Sequence, residues 1–322
     1  MGCRAVLVAI LLAASGAYGA EADYLVDWEE AGEEALNHLS ELIRINTVNP
    51  PGNETEAAVY VQQVLATEGI GSELLALDPE RANLVARIEG NGKKRPLLIM
   101  GHTDVVGVQA DRWTEPPFSG LRKDGWVYGR GTLDDKDNVA AGIIVMLLLK
   151  RYGVELDRDV IFVAEAGEEG TPEVGINFLV EKHWDKIAAE YCIAEGGEAT
   201  IEDGKVSVVG IQTTEKMPRR VTLVARGTPG HGSRAFTVNA VSILAAAVAK
   251  AGAWTTEVRL NETTRAYFER MAETADPGDA FRYSNVENPE HTEDIQRHFI
   301  ETYPYHYSIL RSSVVPTVID AG

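Results

Sequence analysis

The chain has 322 residues, 45% of them apolar and 25% charged, enough for two domains with cores of their own. Its 49 acidic and 30 basic side chains give a formal charge of −19, which argues against nucleic acid and anionic membrane as partners. The first 20 residues differ from the rest: Arg4 precedes an apolar run, and Ala17-Tyr18-Gly19 offers the small residues of a cleavage site. That run is too short to span a bilayer comfortably, so a signal peptide over 1–20, export and no later membrane contact are expected. Cys3 leaves with the signal, and Cys192 is read as a lone core thiol without a disulfide partner.

Residues 28–44 carry Trp28, Ala31, Ala35, Leu36, Leu39, Leu42 and Ile43 on one helical stripe. Asn49-Pro50-Pro51-Gly52-Asn53 breaks the chain before a second helix over 54–69. Strands follow at 72–77, 83–88 and 96–100, the last nearly all apolar and so expected inside the sheet. A loop leads to an apolar helix at 138–152, a buried strand at 160–164, a helix at 175–184 and a short strand at 191–194. This alternation predicts an α/β sheet with helices on both faces, in a catalytic domain over 21–212. Beyond Lys205 the texture changes to strands at 206–211 and 220–224 and an alanine-rich helix at 239–252. A polar helix at 262–275, a break at 276–278, a helix at 292–303 and closing strands at 307–311 and 314–319 complete a smaller α+β domain over 213–317.

His102 stands just past the apolar strand at 96–100, where open α/β sheets bind ligands. Asp104, two residues on, shares its face in extended chain and can orient the imidazole, although a His-x-Asp pair serves equally as a structural contact. Asp134 and Asp135 follow Gly129-Arg130-Gly131 and precede a helix, where Asp is also an ordinary cap. Glu168 and Glu169 follow the strand at 160–164; adjacent carboxylates repel, and a metal ion removes that cost for one while leaving the other as a base. Glu195 follows the apolar triplet 192–194. Imidazole and carboxylates gathered at strand ends form the donor set for Zn²⁺ or a similar divalent ion.

Gly101-His102-Thr103-Asp104-Val105-Val106, Gly129-Arg130-Gly131 with Asp134-Asp135-Lys136, Glu168-Glu169 and Glu195, in that order, resemble the M20 family of metallopeptidases. The resemblance runs from about Trp28 to the end and implies a zinc-peptidase-like mixed sheet with an inserted lid or dimerisation domain. It further implies two Zn²⁺ ions, with Co²⁺ or Mn²⁺ as substitutes. By the family pattern His102 ligates one metal, Asp134 bridges both, Glu169 and Glu195 each ligate one, Glu168 is the general base and Asp104 holds His102. The Asp134–Asp135 peptide is expected to be cis. His231, in Gly227-Thr228-Pro229-Gly230-His231-Gly232-Ser233, would polarise the substrate carbonyl, in some members from the partner subunit. Asn239 and Arg311 would bind the substrate carboxylate, a surface ion pair being the plain alternative for the arginine.

The implied reaction is hydrolysis of dipeptides or N-acyl amino acids, by a homodimer formed through the lid. A desuccinylase or acetylornithine deacetylase of cytoplasmic biosynthesis is the alternative, opposed by the signal-like start. So is a non-catalytic peptide-binding protein, which would have lost Glu168 or Asp134. The family closes its site with a second His after the lid. Here His291, His298 and His306 all fall within the expected lid. The expectation is therefore a truncated chain, with 318–322 beginning the missing part of the catalytic domain.

Overall fold

The computed structural model describes residues 24–202, 204–233 and 239–321; the expected signal peptide lies outside them. The chain divides into two units, one ending at Val209 and the other beginning at Gly210.

In the first unit, helix α1 (Trp28–Arg44) starts where Asp27 accepts hydrogen bonds from Glu29 N and Glu30 N. Helix α2 (Glu54–Thr67) leads to strands β1 (Ser72–Leu75), β2 (Asn83–Ile88) and β3 (Leu97–His102). A hairpin, β4 (Leu121–Lys123) and β5 (Trp126–Tyr128), occupies the stretch expected to be a loop. Helix α3 (Lys136–Arg151) begins two residues before its apolar pattern does. Strand β6 (Val160–Glu165) follows, then α4 (Ile176–Lys182) and α5 (Trp184–Ile187), one expected helix interrupted at His183. Strands β7 (Tyr191–Ile193), β8 (Glu198–Glu202) and β9 (Lys205–Gly210) follow, the last running to the boundary of the unit.

The main sheet runs β1-β2-β6-β3-β7. β2 is antiparallel to β1 and β6, while β3 is parallel to β6 and β7, so the sheet is mixed. Every residue of β6 is buried, as its central place requires. One face packs Leu84, Ala86 and Phe162 against Leu42, Val61 and Ile143 of α1, α2 and α3. The other packs Val85, Leu98, Ile161 and Val163 against Leu179 and Ile187 of α4 and α5. Helices thus cover both faces, as the apolar patterns predict. Cys192 is not a core thiol: β7 is the outermost strand and the cysteine is exposed.

In register, His102 lies opposite Glu165, so the carboxyl ends of β3 and β6 coincide. A Cβ on Gly101 would sit 3.0 Å from an Asp135 carboxylate oxygen and 3.1 Å from Val139 N. The glycine is what lets the amino end of α3 close on β3.

Among the described residues of the second unit the helices are α6 (Ala240–Gly252), α7 (Glu262–Thr274), α8 (Pro277–Ser284), α9 (Thr292–Thr302) and α10 (Pro304–Ile309). The break at 276–278 ends α7, but Asp276 then caps α8 through Gly278 N and Asp279 N, with Pro277 in the first turn. The strand expected at 307–311 is helical through Ile309. His306 and Leu310 are both buried, and a spacing of four is a helical one, so α10 places them together against Phe268, Tyr283 and Phe299. The strands expected at 220–224 and 314–319 are not formed; Val221, Val224, Val315 and Val318 stay exposed with no partner strand among the described residues.

Lys136 is wholly buried, and its Nζ donates to Leu42 O at 2.8 Å and Ile45 O at 2.7 Å. These carbonyls belong to the end of α1, where helical partners run out. One lysine therefore ties the start of α3 to the end of α1. Lys136→Met keeps the bulk but leaves Ile45 O dry and Leu42 O with only the Ile45 N–H at 3.2 Å, and is expected to cost roughly 1–3 kcal/mol in urea unfolding. A variant as stable as the parent would mean that the carbonyls find other donors.

Candidate metal centre

His102 ends β3 and is only 2% exposed. Its Nδ1 lies 3.0 Å from the backbone oxygen of Asp104 and 3.5 Å from that residue's carboxylate. A carbonyl can only accept, so Nδ1 carries hydrogen and Nε2 is turned outward as the coordinating nitrogen. Around Nε2 stand Asp134 Oδ1 at 3.0 Å, Glu195 Oε2 at 3.5 Å and Glu168 Oε2 at 3.9 Å. The three carboxylates are about half exposed, so the centre is buried beneath and open above.

His102, Asp134 and Glu195 offer one donor atom each, all within 4.8 Å of one another. In four-coordinate zinc with bonds of about 2.0–2.1 Å, neighbouring donors lie about 3.3 Å apart. The spacing and the mixed nitrogen–oxygen set therefore fit Zn²⁺ or a similar borderline ion.

The two adjacent aspartates take different parts. Their peptide bond is cis, as expected. Asp134 turns outward to His102 Nε2. Asp135 is wholly buried, accepts from His102 N at 3.0 Å and is bonded by Asn138 Nδ2. It stands at the cap position of α3 yet makes no side-chain cap bond, so the plain capping alternative does not describe it. Burial raises its carboxyl to about 7 against the bonds from His102 N and Asn138.

Asp104 is also wholly buried. Its carboxylate accepts from Glu168 N at 3.1 Å, Glu169 N at 3.0 Å and Asn49 Nδ2 at 2.8 Å. Burial alone would raise this carboxyl, but His102, Asn49 and the Glu169 amide hold it below the usual range. Burial pushes Glu168 up, opposed by His102 and reinforced by Glu195, Asp104 and Asp134. Burial and then Asp134 push Glu169 up.

The other expected site residues lie in the second unit. His231 is exposed, with Ser233 N and Oγ at 3.2 and 2.8 Å from its Nδ1. The Asn239 oxygen caps α6 through Ser242 N. Arg311 is buried, bonded to Thr256 O at 2.7 Å and to Gln296, and stacked 4.8 Å from the Tyr307 ring. The three later histidines are in or beside helices of this unit, His306 bonded to Tyr267 and His298 beside Asp279. Sequence reasoning missed Asn49, hidden in a breaker cluster, and Glu165, which closes β6. Glu165 accepts from Ile176 N at 2.7 Å, and burial raises it to about 7. The apolar strand running straight into that glutamate was its available signal.

Burial alone would lower the His102 imidazole, but the carboxylates of Asp104, Asp135 and Glu168 outweigh it and raise the ring to about 10. At neutral pH Nε2 then carries a proton that an incoming cation must displace. Zn²⁺ affinity is expected to rise roughly tenfold per unit between about pH 6 and pH 9, with about one proton released per ion. Titration calorimetry in two buffers of different ionisation heat reads that count. A value near zero would mean a neutral ring in the free protein.

The model of Peptidase family M20/M25/M40 matches residues 98–314. The chain is 28% identical over 305 residues to the N-fatty-acyl-amino acid synthase/hydrolase PM20D1 of Homo sapiens, covering 91% of this chain and 59% of that protein. It is 35% identical over 152 residues to a probable succinyl-diaminopimelate desuccinylase of Staphylococcus epidermidis, covering 47% of this chain and 36% of that protein. Among solved structures it is similar to the M20 family metallo-carboxypeptidase Sso-CP2 of Sulfolobus solfataricus, with 28% identity, a TM-score of 0.45, and coverage of 51% of this chain and 37% of that one. The chain thus spans less than two thirds of the length of these relatives. With the family model matched over more than half its length, the chain belongs to peptidase family M20/M25/M40.

Proposed function

We propose that this chain serves hydrolysis of the amide bond of N-acyl amino acids or dipeptides, at a pair of Zn²⁺ ions, after export from the cell. The observation that carries this reading is the meeting of Asp134, Glu195 and Glu168 carboxylates within 3.0–3.9 Å of His102 Nε2. His102, Asp134 and Glu195 would hold one ion. Asp134, with its outward carboxylate, and Glu169 would serve the second. Bound ions supply Lewis acidity toward the scissile carbonyl and the attacking water.

Glu168 is the base in this reading. Its raised affinity for a proton suits a group that takes one from water and hands it to the leaving amine. Its backbone is pinned by Asp104, so the carboxylate swings from a fixed point. His231 is assigned to the developing oxyanion. Ser233 N can only donate, so Nδ1 accepts, and the neutral ring then carries its hydrogen on Nε2, the form that can donate to an oxygen. The relative PM20D1 is named for N-fatty-acyl amino acids, which supports N-acyl amino acids as the substrate class. The second unit is proposed to pair with a second copy.

The test loads the purified protein with Zn²⁺ and assays a panel of dipeptides and N-acyl amino acids. Glu168→Gln is expected to keep bound ions and lose about 10²–10⁴-fold in turnover. A variant that keeps most of its activity would remove Glu168 from the role. No turnover by the parent on any member of the panel would sink the substrate class.

A further inference from the structure

The Asp104 carboxylate does not stand alone beneath the centre. Asn49 Nδ2 donates to it at 2.8 Å and also to Thr171 Oγ1 at 3.0 Å. The Asp104 oxygen can only accept, which orients the Asn49 amide with its nitrogen inward. Thr171 Oγ1 accepts in turn from Arg81 Nη1 at 2.7 Å. Arg81 is turned by Glu54, which takes Nε at 2.9 and 3.2 Å and also Nη2. Glu54 is wholly buried and Arg81 is 7% exposed.

A buried ion pair is a poor source of stability, because desolvation consumes most of its attraction. An apolar pair would pack as well. What it could not do is aim a third donor, Nη1, at Thr171. Local chain geometry supports the same arrangement. A Cβ on Gly52, which has φ +110°, would fall 2.3 Å from Arg81 Nε and 2.5 Å from Glu54 Oε2, so the glycine leaves room for the pair. Thr171 also closes the loop that carries Glu168 and Glu169, through Thr171 N to Gly167 O at 2.9 Å. Backbone bonds Asn49 N to Val105 O at 2.8 Å and Val105 N to Thr47 O at 3.1 Å lay the 47–49 segment along Asp104.

We propose that Glu54, Arg81, Thr171 and Asn49 form a positioning relay: its fixed hydrogen bonds hold the Asp104 carboxylate, and through it the Glu168 and Glu169 amides and the His102 ring. None of the four touches the metal centre. The relay orients the groups that do. This inference rests on the metal-centre reading only for its consequence in ion affinity; the relay itself is a property of the metal-free chain.

Arg81 is the obvious target, but removing it strands the Glu54 charge and invites unfolding. Thr171→Val is isosteric and removes only the hydroxyl, while Thr171→Ser restores it. Hydrogen exchange of individual amides is read by NMR in the metal-free protein. The Glu168 and Glu169 amides are expected to exchange at least about tenfold faster in Thr171→Val and to return to the parent rate in Thr171→Ser, with the β6 amides unchanged in all three. Outer partners of metal ligands typically change ion affinity by about 10–100-fold, so Co²⁺ affinity should fall about tenfold in Thr171→Val alone. Unchanged exchange at the two amides would overturn the relay. So would a serine variant as fast as the valine one, or a rise spread across the sheet, which would mean general loosening. Exchange following the expected pattern in a parent that binds no Co²⁺ would sustain the relay and defeat the functional reading.

Discussion

The Asp104 carboxylate sits at zero exposure among the Glu168 amide, the Glu169 amide, the Asn49 side chain and the His102 ring. A charge buried without partners costs several kcal/mol, so the surroundings must supply donors on every side. Two of those donors are the backbone N–H groups of the paired glutamates. The placement of the acidic loop against the histidine strand is therefore set by the need to satisfy one carboxylate. His102 is held from the same residue, through the Asp104 carbonyl. The strand end and the loop after β6 become a single rigid base.

Rigidity below is matched by openness above. His102, Asp104 and Asp135 are almost wholly buried, whereas Asp134, Glu168 and Glu195 keep about half their side-chain surface. The donors facing solvent are all anionic, and their mutual repulsion is met on the protein side by the imidazole. A divalent cation is the natural complement of such a half-open set. The parallel pairs β3–β6 and β3–β7 bring the three strand ends to one edge of the sheet, which is where doubly covered sheets place their ligands.

In the first unit much was legible in the linear pattern. His102, Asp134 and Glu195 come together in space, and the helical stripes at 28–44 and 54–69 and the apolar run at 160–164 all reappear as elements. These signals are local: a period of 3.6 or 2 needs only neighbouring residues to express it. The second unit resisted the same reasoning. At 307–311 an aromatic run resembles a strand until its burial partners, Phe268 and Phe299, are known. At 220–224 the alternation has no strand to pair with among the described residues.

By itself the sequence determined the donor chemistry, the α/β alternation and the places where strands deliver carboxylates. Family resemblance singled out Asp134 over Asp135, neighbours of identical chemistry, but only the tertiary structure shows why: one faces His102 Nε2 and the other lies under His102 N, 33 residues away in the chain. It alone drew Asn49 out of a turn cluster and joined it to Asp104, and put Cys192 on an outer strand rather than in the core. The reason is common to all three. Burial and hydrogen-bond partnership are set by what arrives from distant positions, and no local period or composition carries that information.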